Sequence, residues 1–249
     1  MAEQKPVHEI LKASAENRQL VTASLYDQAY EPKFQNRADF PSKARQKKIA
    51  LYRKVIGRGH QAILEIGCGP GDLTYAIVDH AEKIVGTDIS AKGVEWARNR
   101  KDLWSLSGAQ SRKIEFLQMS AVQLNFPDET FDWAISTSLV EHLHPEDVSI
   151  HMHEVRRILK PGGKYLMWCP NRLGHHKDRD YHFSMLSYRE WIEKLREAGF
   201  SGFRSTLTSR LPMIDAGFKV FMEQFLTALK IKLMWTHLGV RNVFLVATR

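Results

Sequence analysis

The sequence predicts an α/β fold built on a doubly wound, mostly parallel sheet. Three observations predict it. From about residue 60, short β-rich runs alternate with helical stretches; a glycine-rich turn closes the first run; an acidic residue closes the second. Strands that alternate with helices imply right-handed crossovers, which make neighbouring strands parallel.

The elements follow in order. Residues 1 to about 60 read as helices and loops. In "PSKARQKKIALYRKVIG", Pro41 stands where a first helical turn tolerates it, Gly57 stands where a helix ends, and Ile49, Tyr52, Val55 and Ile56 share one stripe. Strand "AILEIG" precedes helix "GDLTYAIVDHA", and strand "KIVGTDI" precedes helix "AKGVEWARNRKDLWSL". Strand "KIEFLQM" leads into a loop. Strand "FDWAIST" precedes helix "PEDVSIHMHEVRRIL", which Pro161 and two glycines stop before strand "KYLMWCP". "YREWIEKLREAGF" is a helix stopped at Gly199, and "NVFLVATR" closes the chain as a strand. The apolar stretch "DAGFKVFMEQFLTALKIKLMWTHLG" belongs to no strand–helix unit and reads as an inserted cap.

Bulk properties narrow the function. At 43% hydrophobic over 249 residues the chain buries a real core. Cys68 and Cys169 lie far apart in apolar runs, which argues for a reducing compartment and a cytoplasmic location. The N-terminus reads as no signal peptide, and no apolar run approaches the ~20 residues of a membrane span. The net charge of +8 suits solubility, and it leaves nucleic acid, an anionic membrane or an acidic substrate as alternatives. No RNA-binding module or aromatic-basic strip accompanies it, so nucleic acid is disfavoured.

The turn "EIGCGPGD" carries Gly67, Gly69 and Gly71 at alternate positions, not the G-x-G-x-x-G of a dinucleotide site. Pro70 removes a backbone donor, while Asp72 and Glu65 bring negative charge that a pyrophosphate would meet unfavourably. An acidic rim suits a cation. S-adenosyl-L-methionine carries a sulfonium and an ammonium and no phosphate. Asp88, at the end of the second strand, can accept both hydroxyls of its ribose.

With "LEIGCGPG", "GTDIS", "FPDETFDWAISTSLVEHL", "RRILKPGGKYLM" and "NVFLVATR", the chain resembles the class I S-adenosylmethionine-dependent methyltransferases over roughly residues 60 to 200. Within them it looks most like the small-molecule enzymes related to those of quinone biosynthesis. The resemblance implies a seven-stranded Rossmann-like sheet. It also implies one domain over 1–249: a helical lid (1–60), a cofactor-binding core (61–170), then a substrate cap with the last strands (171–249). Glu65, Gly67, Cys68, Gly69, Gly71 and Asp88 would hold the cofactor, with Ile89 packed on the adenine. The loop after the third strand would reach the adenine through Ala121 and Val122. Ser120 stands where relatives have an Asp, so that contact must differ. Thr137 and Ser138, ending the fourth strand, would meet the cofactor, whose product is S-adenosyl-L-homocysteine.

Methyl transfer is an in-line displacement that positioning accelerates, and a hydroxyl acceptor also needs a base. His142 and His182 are the candidates, each following a strand at the edge where ligands bind. His144, His175 and His176 share that edge, whereas His151 and His153 read as surface residues of a helix. Relatives that hold a divalent ion show E-x-x-E-H; here the pattern is S-x-x-E-H, leaving Glu141 and His142, with Asp180 or His182 to complete a set. One carboxylate and one His are a thin set, so no metal is assigned. Tyr26 and Tyr30 read either as a lid or as ordinary packing. The face of Phe218, Phe221, Met222, Phe225, Leu226 and Leu229, with Lys219, Lys230 and Lys232 nearby, can pack on the sheet edge, roof a pocket, join two subunits or lie on a membrane. The expected activity is methyl transfer to a small-molecule hydroxyl. RNA or protein methylation and a non-catalytic cofactor-binding role are the alternatives. Oligomeric state is left open.

Overall fold

The computed structural model describes residues 10, 12–35, 42–173, 182–206, 213–228 and 242–249. It has the expected α/β class, with a mostly parallel central sheet and flanking helices. The chain divides into two compact units. One is Met1–Asn125 with Phe131–Trp133; the other is Phe126–Thr130 with Ala134–Arg249.

In the first unit, strands β1 (His60–Ile66), β2 (Ala81–Asp88) and β3 (Ile114–Gln118) are parallel and ordered β3-β2-β1. Ile63, Leu64 and Ile66 are all buried, as expected of a parallel strand covered on both faces. Two helices precede the sheet, α1 (Ala15–Gln35) and α2 (Lys43–Ile56). The Ser42 hydroxyl caps α2 by accepting from the Arg45 N–H at 3.3 Å, and Gly57 ends it at φ +73°. Pro41 lies outside the described residues. Ile49, Tyr52 and Ile56 of the predicted stripe are buried, and Val55 is half-buried.

The helices after β1 and β2 are shorter than the sequence suggests. Helix α3 (Asp72–Ala76) gives way to a 3-10 turn at Val78–His80. Helix α4 (Ala91–Asn99), capped by Ser90, stops one residue before Arg100. There the chain tightens into a second 3-10 turn, Lys101–Trp104, while the Arg100 guanidinium turns inward to Asp72. A short helix, α5 (Gly108–Ser111), carries a capping box between Ser107 and Gln110. Helix α4 packs on β2 and β3, and α1 packs on α4.

Strand β4 (Phe131–Thr137) begins in the first unit and ends in the second. The second unit adds helix α6 (Pro145–Ile158), strand β5 (Leu159–Pro170), helix α7 (Tyr188–Glu197), strands β6 (Ser201–Ser205) and β7 (Ile214–Asp215), helix α8 (Ala216–Ala228) and strand β8 (Asn242–Thr248). Its strand order is β4-β5-β8-β6-β7, with β8 antiparallel to both β5 and β6. Helix α6 runs straight into β5. Pro161 and Gly162 belong to the strand, but they lie ahead of its pairing with β8, which starts at Lys164, so no ladder hydrogen bond to β8 is lost.

The sheet has eight strands among the described residues, where seven are expected. The two-residue β7 is the extra one. It exists through pairing with β6, and the sequence of β6, "SGFRS", has no β pattern of its own; register against β8 makes it a strand.

One side-chain expectation is corrected here. His151 is fully buried rather than on the surface: its Nε2 lies 3.0 Å from the Tyr165 hydroxyl, which is 2.5 Å from Ser136 Oγ. In α8 the predicted apolar face is divided: Leu226 is fully buried and Met222 half-buried. Phe218, Phe221 and Phe225 are 44%, 58% and 44% exposed, while Lys219 and Glu223 are buried. Glu223 is buried because its carboxylate accepts from the Tyr188 N–H at 3.0 Å and from Asn171 Nδ2 at 2.7 Å. It thereby serves the first turn of α7, where a negative charge is favoured. Burial pushes the Lys219 amine down to about 8, and Lys219 lies over the Tyr188 ring. Leu229, Lys230 and Lys232 lie outside the described residues. Among the described residues no helix is long and apolar enough to cross a membrane.

Candidate functional site

The loop after β1 turns on three glycines. Gly67, Gly69 and Gly71 all have left-handed backbones, with φ of +70°, +51° and +75°. A Cβ on Gly71 would meet the Phe116 ring at 2.7 Å, so only glycine fits there.

Three of the loop's donors are already engaged. The N–H of Cys68 donates to Thr87 O at 2.8 Å, that of Gly69 to Asp88 Oδ2 at 2.8 Å, and that of Gly71 to Cys68 O at 3.0 Å; Pro70 has none. A phosphate at a glycine loop needs such N–H groups pointing outward. Those of Cys68, Gly69 and Gly71 are turned to partners within the protein instead.

This corrects the reason the sequence suggests. Asp72 is not a bare charge on the rim: it is buried between Arg100, at 2.7 Å, and Arg45, at 2.8 Å. Glu65 is buried too and accepts from the Thr74 hydroxyl at 2.5 Å. Burial pushes its carboxyl up to about 7, against the opposing pull of that hydrogen bond. Neither carboxylate is therefore a bare charge on an acidic rim.

Asp88 is the carboxylate that ties the site together. Besides Gly69, it accepts from the Ser90 N–H through Oδ1 at 3.0 Å. A carboxylate has about four lone-pair positions, so capacity for ribose hydroxyls remains. The backbone carbonyl of Asp88 accepts from the Met119 N–H at 2.9 Å, which sets the loop after β3 beside the end of β2. Ile89 is half-buried next in the chain, and its carbonyl accepts from Gln118 Nε2 at 3.1 Å. Cys68 offers only backbone. Its thiol is buried among Tyr75, Val94, Ala97 and Phe116 and is pushed up by burial, then by the nearby Asp88 and Glu65 carboxylates.

In the loop after β3, the Ser120 hydroxyl accepts from the Val122 N–H at 3.2 Å and donates to Gln19 Oε1 at 2.5 Å. Ala121 is buried and Val122 half-buried. Gln19 belongs to α1, and so does Asp27, whose Oδ1 accepts from the Ser90 hydroxyl at 2.5 Å and the Lys92 N–H at 3.2 Å. The N-terminal helix thus fastens two rim loops of the first unit. Tyr26, the residue singled out in the sequence, is its half-buried neighbour, and the side chain of Tyr30 lies outside the described residues. Gln19 and Asp27 carry no local signal, because their partners are far along the chain.

The second unit holds a separate cluster. Ser138 follows β4 with a left-handed backbone, φ +54°, unusual for a residue with a side chain and a form of strain that collects at functional sites. Its N–H donates to Trp168 O at 2.9 Å, and Thr137 beside it is half-buried. A 3-10 turn, Val140–His142, then presents Glu141 and His142. His142 Nε2 lies 4.0 Å from Glu141 Oε1, and the His142 and His182 rings cross edge to face with centroids 4.9 Å apart. Glu141, His142 and His182 each offer one ligand atom within 4.8 Å of the others. Ser184 locks the two segments together: its N–H donates to Glu141 O at 3.0 Å and its hydroxyl to Leu143 O at 2.8 Å. The two histidines proposed from the sequence are thus brought together. His144 instead caps α6, accepting from the Glu146 N–H through Nδ1 at 3.3 Å. His175, His176 and Asp180 lie outside the described residues.

A family model described as a methyltransferase domain matches residues 64–167. The chain is 30% identical to a ubiquinone/menaquinone biosynthesis C-methyltransferase UbiE of Pseudomonas syringae pv. tomato, over 69% of this chain and 70% of that protein. It is 33% identical to a fatty-acid O-methyltransferase of Mycolicibacterium smegmatis, over 47% of this chain and 41% of that protein. Against the first curated relatives the match spans about half of their length. Among solved structures, a 1,6-didemethyltoxoflavin-N1-methyltransferase of Burkholderia thailandensis with bound S-adenosylhomocysteine has the same fold, at TM-score 0.60 and 16% identity, covering 95% of this chain and 91% of that one.

Proposed function

Because the chain belongs to the S-adenosylmethionine-dependent methyltransferase family, we propose that it methylates a small molecule at a hydroxyl oxygen. S-adenosylmethionine supplies a methyl group on a sulfonium, and its in-line displacement by the acceptor oxygen leaves S-adenosylhomocysteine. The loop of Gly67, Gly69 and Gly71 lets that donor lie against bare backbone. Asp88 accepts its ribose hydroxyls, Ile89 covers the adenine, and the segment Ser120–Val122 receives its amino edge. Thr137 and Ser138 contact the methionine portion.

The acceptor hydroxyl loses its proton to His142, with His182 beside it and Glu141 orienting the ring. The observation that carries this reading is the convergence of Glu141, His142 and His182 from two separate segments. A C-methyltransferase and an O-methyltransferase both stand among the relatives. The choice of oxygen rests on the paired imidazoles, because neutral imidazole near physiological pH is the usual acceptor of a hydroxyl proton.

The test is a cell extract incubated with the protein and isotope-labelled methyl donor. Label is expected in a hydroxylated small molecule, identified by mass spectrometry. With that acceptor in hand, His142→Ala is expected to cut turnover by about 10²-fold. Label confined to RNA or protein, or a His142→Ala variant within a few-fold of the parent, overturns the reading.

A further inference from the structure

We propose that Glu141, His142 and His182 form a binding site for one divalent cation of the borderline class, with Zn²⁺ and Co²⁺ as the probes that report it. The inference goes beyond methyl transfer and stands whatever the acceptor is.

The donor set comes first. One carboxylate and two imidazoles give mixed oxygen and nitrogen ligation, which favours zinc-like ions over the all-oxygen ions Mg²⁺ and Ca²⁺. Two imidazoles with one carboxylate also leave coordination positions open to water or a ligand.

Geometry comes second. Donors bound ~2.1 Å from one ion lie at most ~4.2 Å from each other. The three ligand atoms already lie within 4.8 Å of one another, so small side-chain rotations close the set without moving backbone. The backbone spacing is fixed independently of those side chains, since Ser184 ties the His182 segment to Glu141 O and Leu143 O. Pinning of that kind reduces the ordering cost of binding.

Burial comes third. The Glu141 side chain is 2% exposed and that of His142 is 22% exposed. A dication shared with two neutral imidazoles is a stronger counter-charge for so deep a carboxylate than one imidazolium. The partly open histidines supply an entry path.

The sequence offers this set only as one of two completions, Asp180 being the other. "SLVEHL" shows only two of the ligands, and His182 arrives from the far side of β5. Proton and cation compete for the same imidazole nitrogens. With an ion in place His142 is a ligand, so its role as base belongs to the ion-free protein.

The experiment uses the full chain after chelator treatment and needs neither methyl donor nor acceptor. Calorimetric titration with Zn²⁺ is expected to give one saturable site, and Mg²⁺ in hundredfold excess is expected not to compete. His182→Ala and Glu141→Gln are each expected to weaken Zn²⁺ at least tenfold, and His153→Ala, on the exposed face of α6, to leave it unchanged. Thermal melts check that each variant is folded. Should a variant fail to fold, the parent still decides the matter: bound Co²⁺ is expected to shift the imidazole proton resonances of both His142 and His182. No saturable site, displacement by Mg²⁺, folded variants that bind as the parent does, or unshifted imidazoles would overturn the proposal.

Discussion

The backbone N–H of Gly69 donates to the carboxylate of Asp88 at 2.8 Å, so the turn after β1 and the end of β2 are one unit. Asp88→Ala removes this tie together with the proposed acceptor for the ribose. S-adenosylhomocysteine affinity, measured by calorimetry, is expected to fall tenfold or more. Unchanged affinity in a folded variant removes the assigned role.

Gly71 combines a φ of +75° with a Phe116 ring where a Cβ would stand. Gly71→Ala is expected to cost about 2 kcal/mol in urea unfolding, from overpacking and backbone strain together. Phe116→Leu placed on top should return part of that loss, because it relieves the clash and not the strain. A double variant as unstable as the sum of the two singles would show that Phe116 is not the obstacle.

Glu65 gives the fold a pH dependence with a definite sign. Its folded pKa, about 7, stands above the ordinary 4.5 because burial disfavours the charged form. Between those values the native chain holds a proton that the unfolded chain has released, so stability falls as pH rises through the window. At ~1.4 kcal/mol per unit the effect is about 3 kcal/mol. Glu65→Gln should flatten this slope of unfolding free energy against pH. A parent protein whose stability rises through the same window contradicts the assignment.

Tyr165 donates its ring and hydroxyl to a wholly buried trio with Ser136 and His151. Burial drives its phenol far above the usual range, against the bond to Ser136, so it stays neutral at any working pH. Tyr165→Phe takes one partner from each neighbour and is expected to cost about 1–3 kcal/mol. Denaturant midpoints would show it; a neutral effect would mean the trio is replaceable packing.

Much of the fold was legible because buried parallel strands and glycine stops leave strong local marks. β1 and β5 carry the apolar runs Ala62–Leu64 and Tyr165–Cys169, and Gly57 and Gly199 end helices at positive φ. β6 and β7 were not, since they exist through pairing that no short window encodes. The burial of Glu223 in α8 was hidden for a related reason: it serves the start of α7, a demand that apolar spacing along one helix cannot reveal. In the candidate site, the glycines and Asp88 were visible as a spacing. Asp72 was visible as a charge but not as a neutralised one, because Arg45 and Arg100 reach it from opposite directions along the chain. His142 and His182 were each visible; their meeting was not.

The bonds from Gln19 to Ser120 and from Asp27 to Ser90 latch two rim segments from outside the sheet. Opening of α1 therefore loosens those segments without unzipping the ladder beneath them. In deuterated solvent the amides of Ser90–Gly93 and Ser120–Val122 should exchange far ahead of those in Ile63–Ile66, and a bound ligand should slow the first two groups while leaving the third untouched.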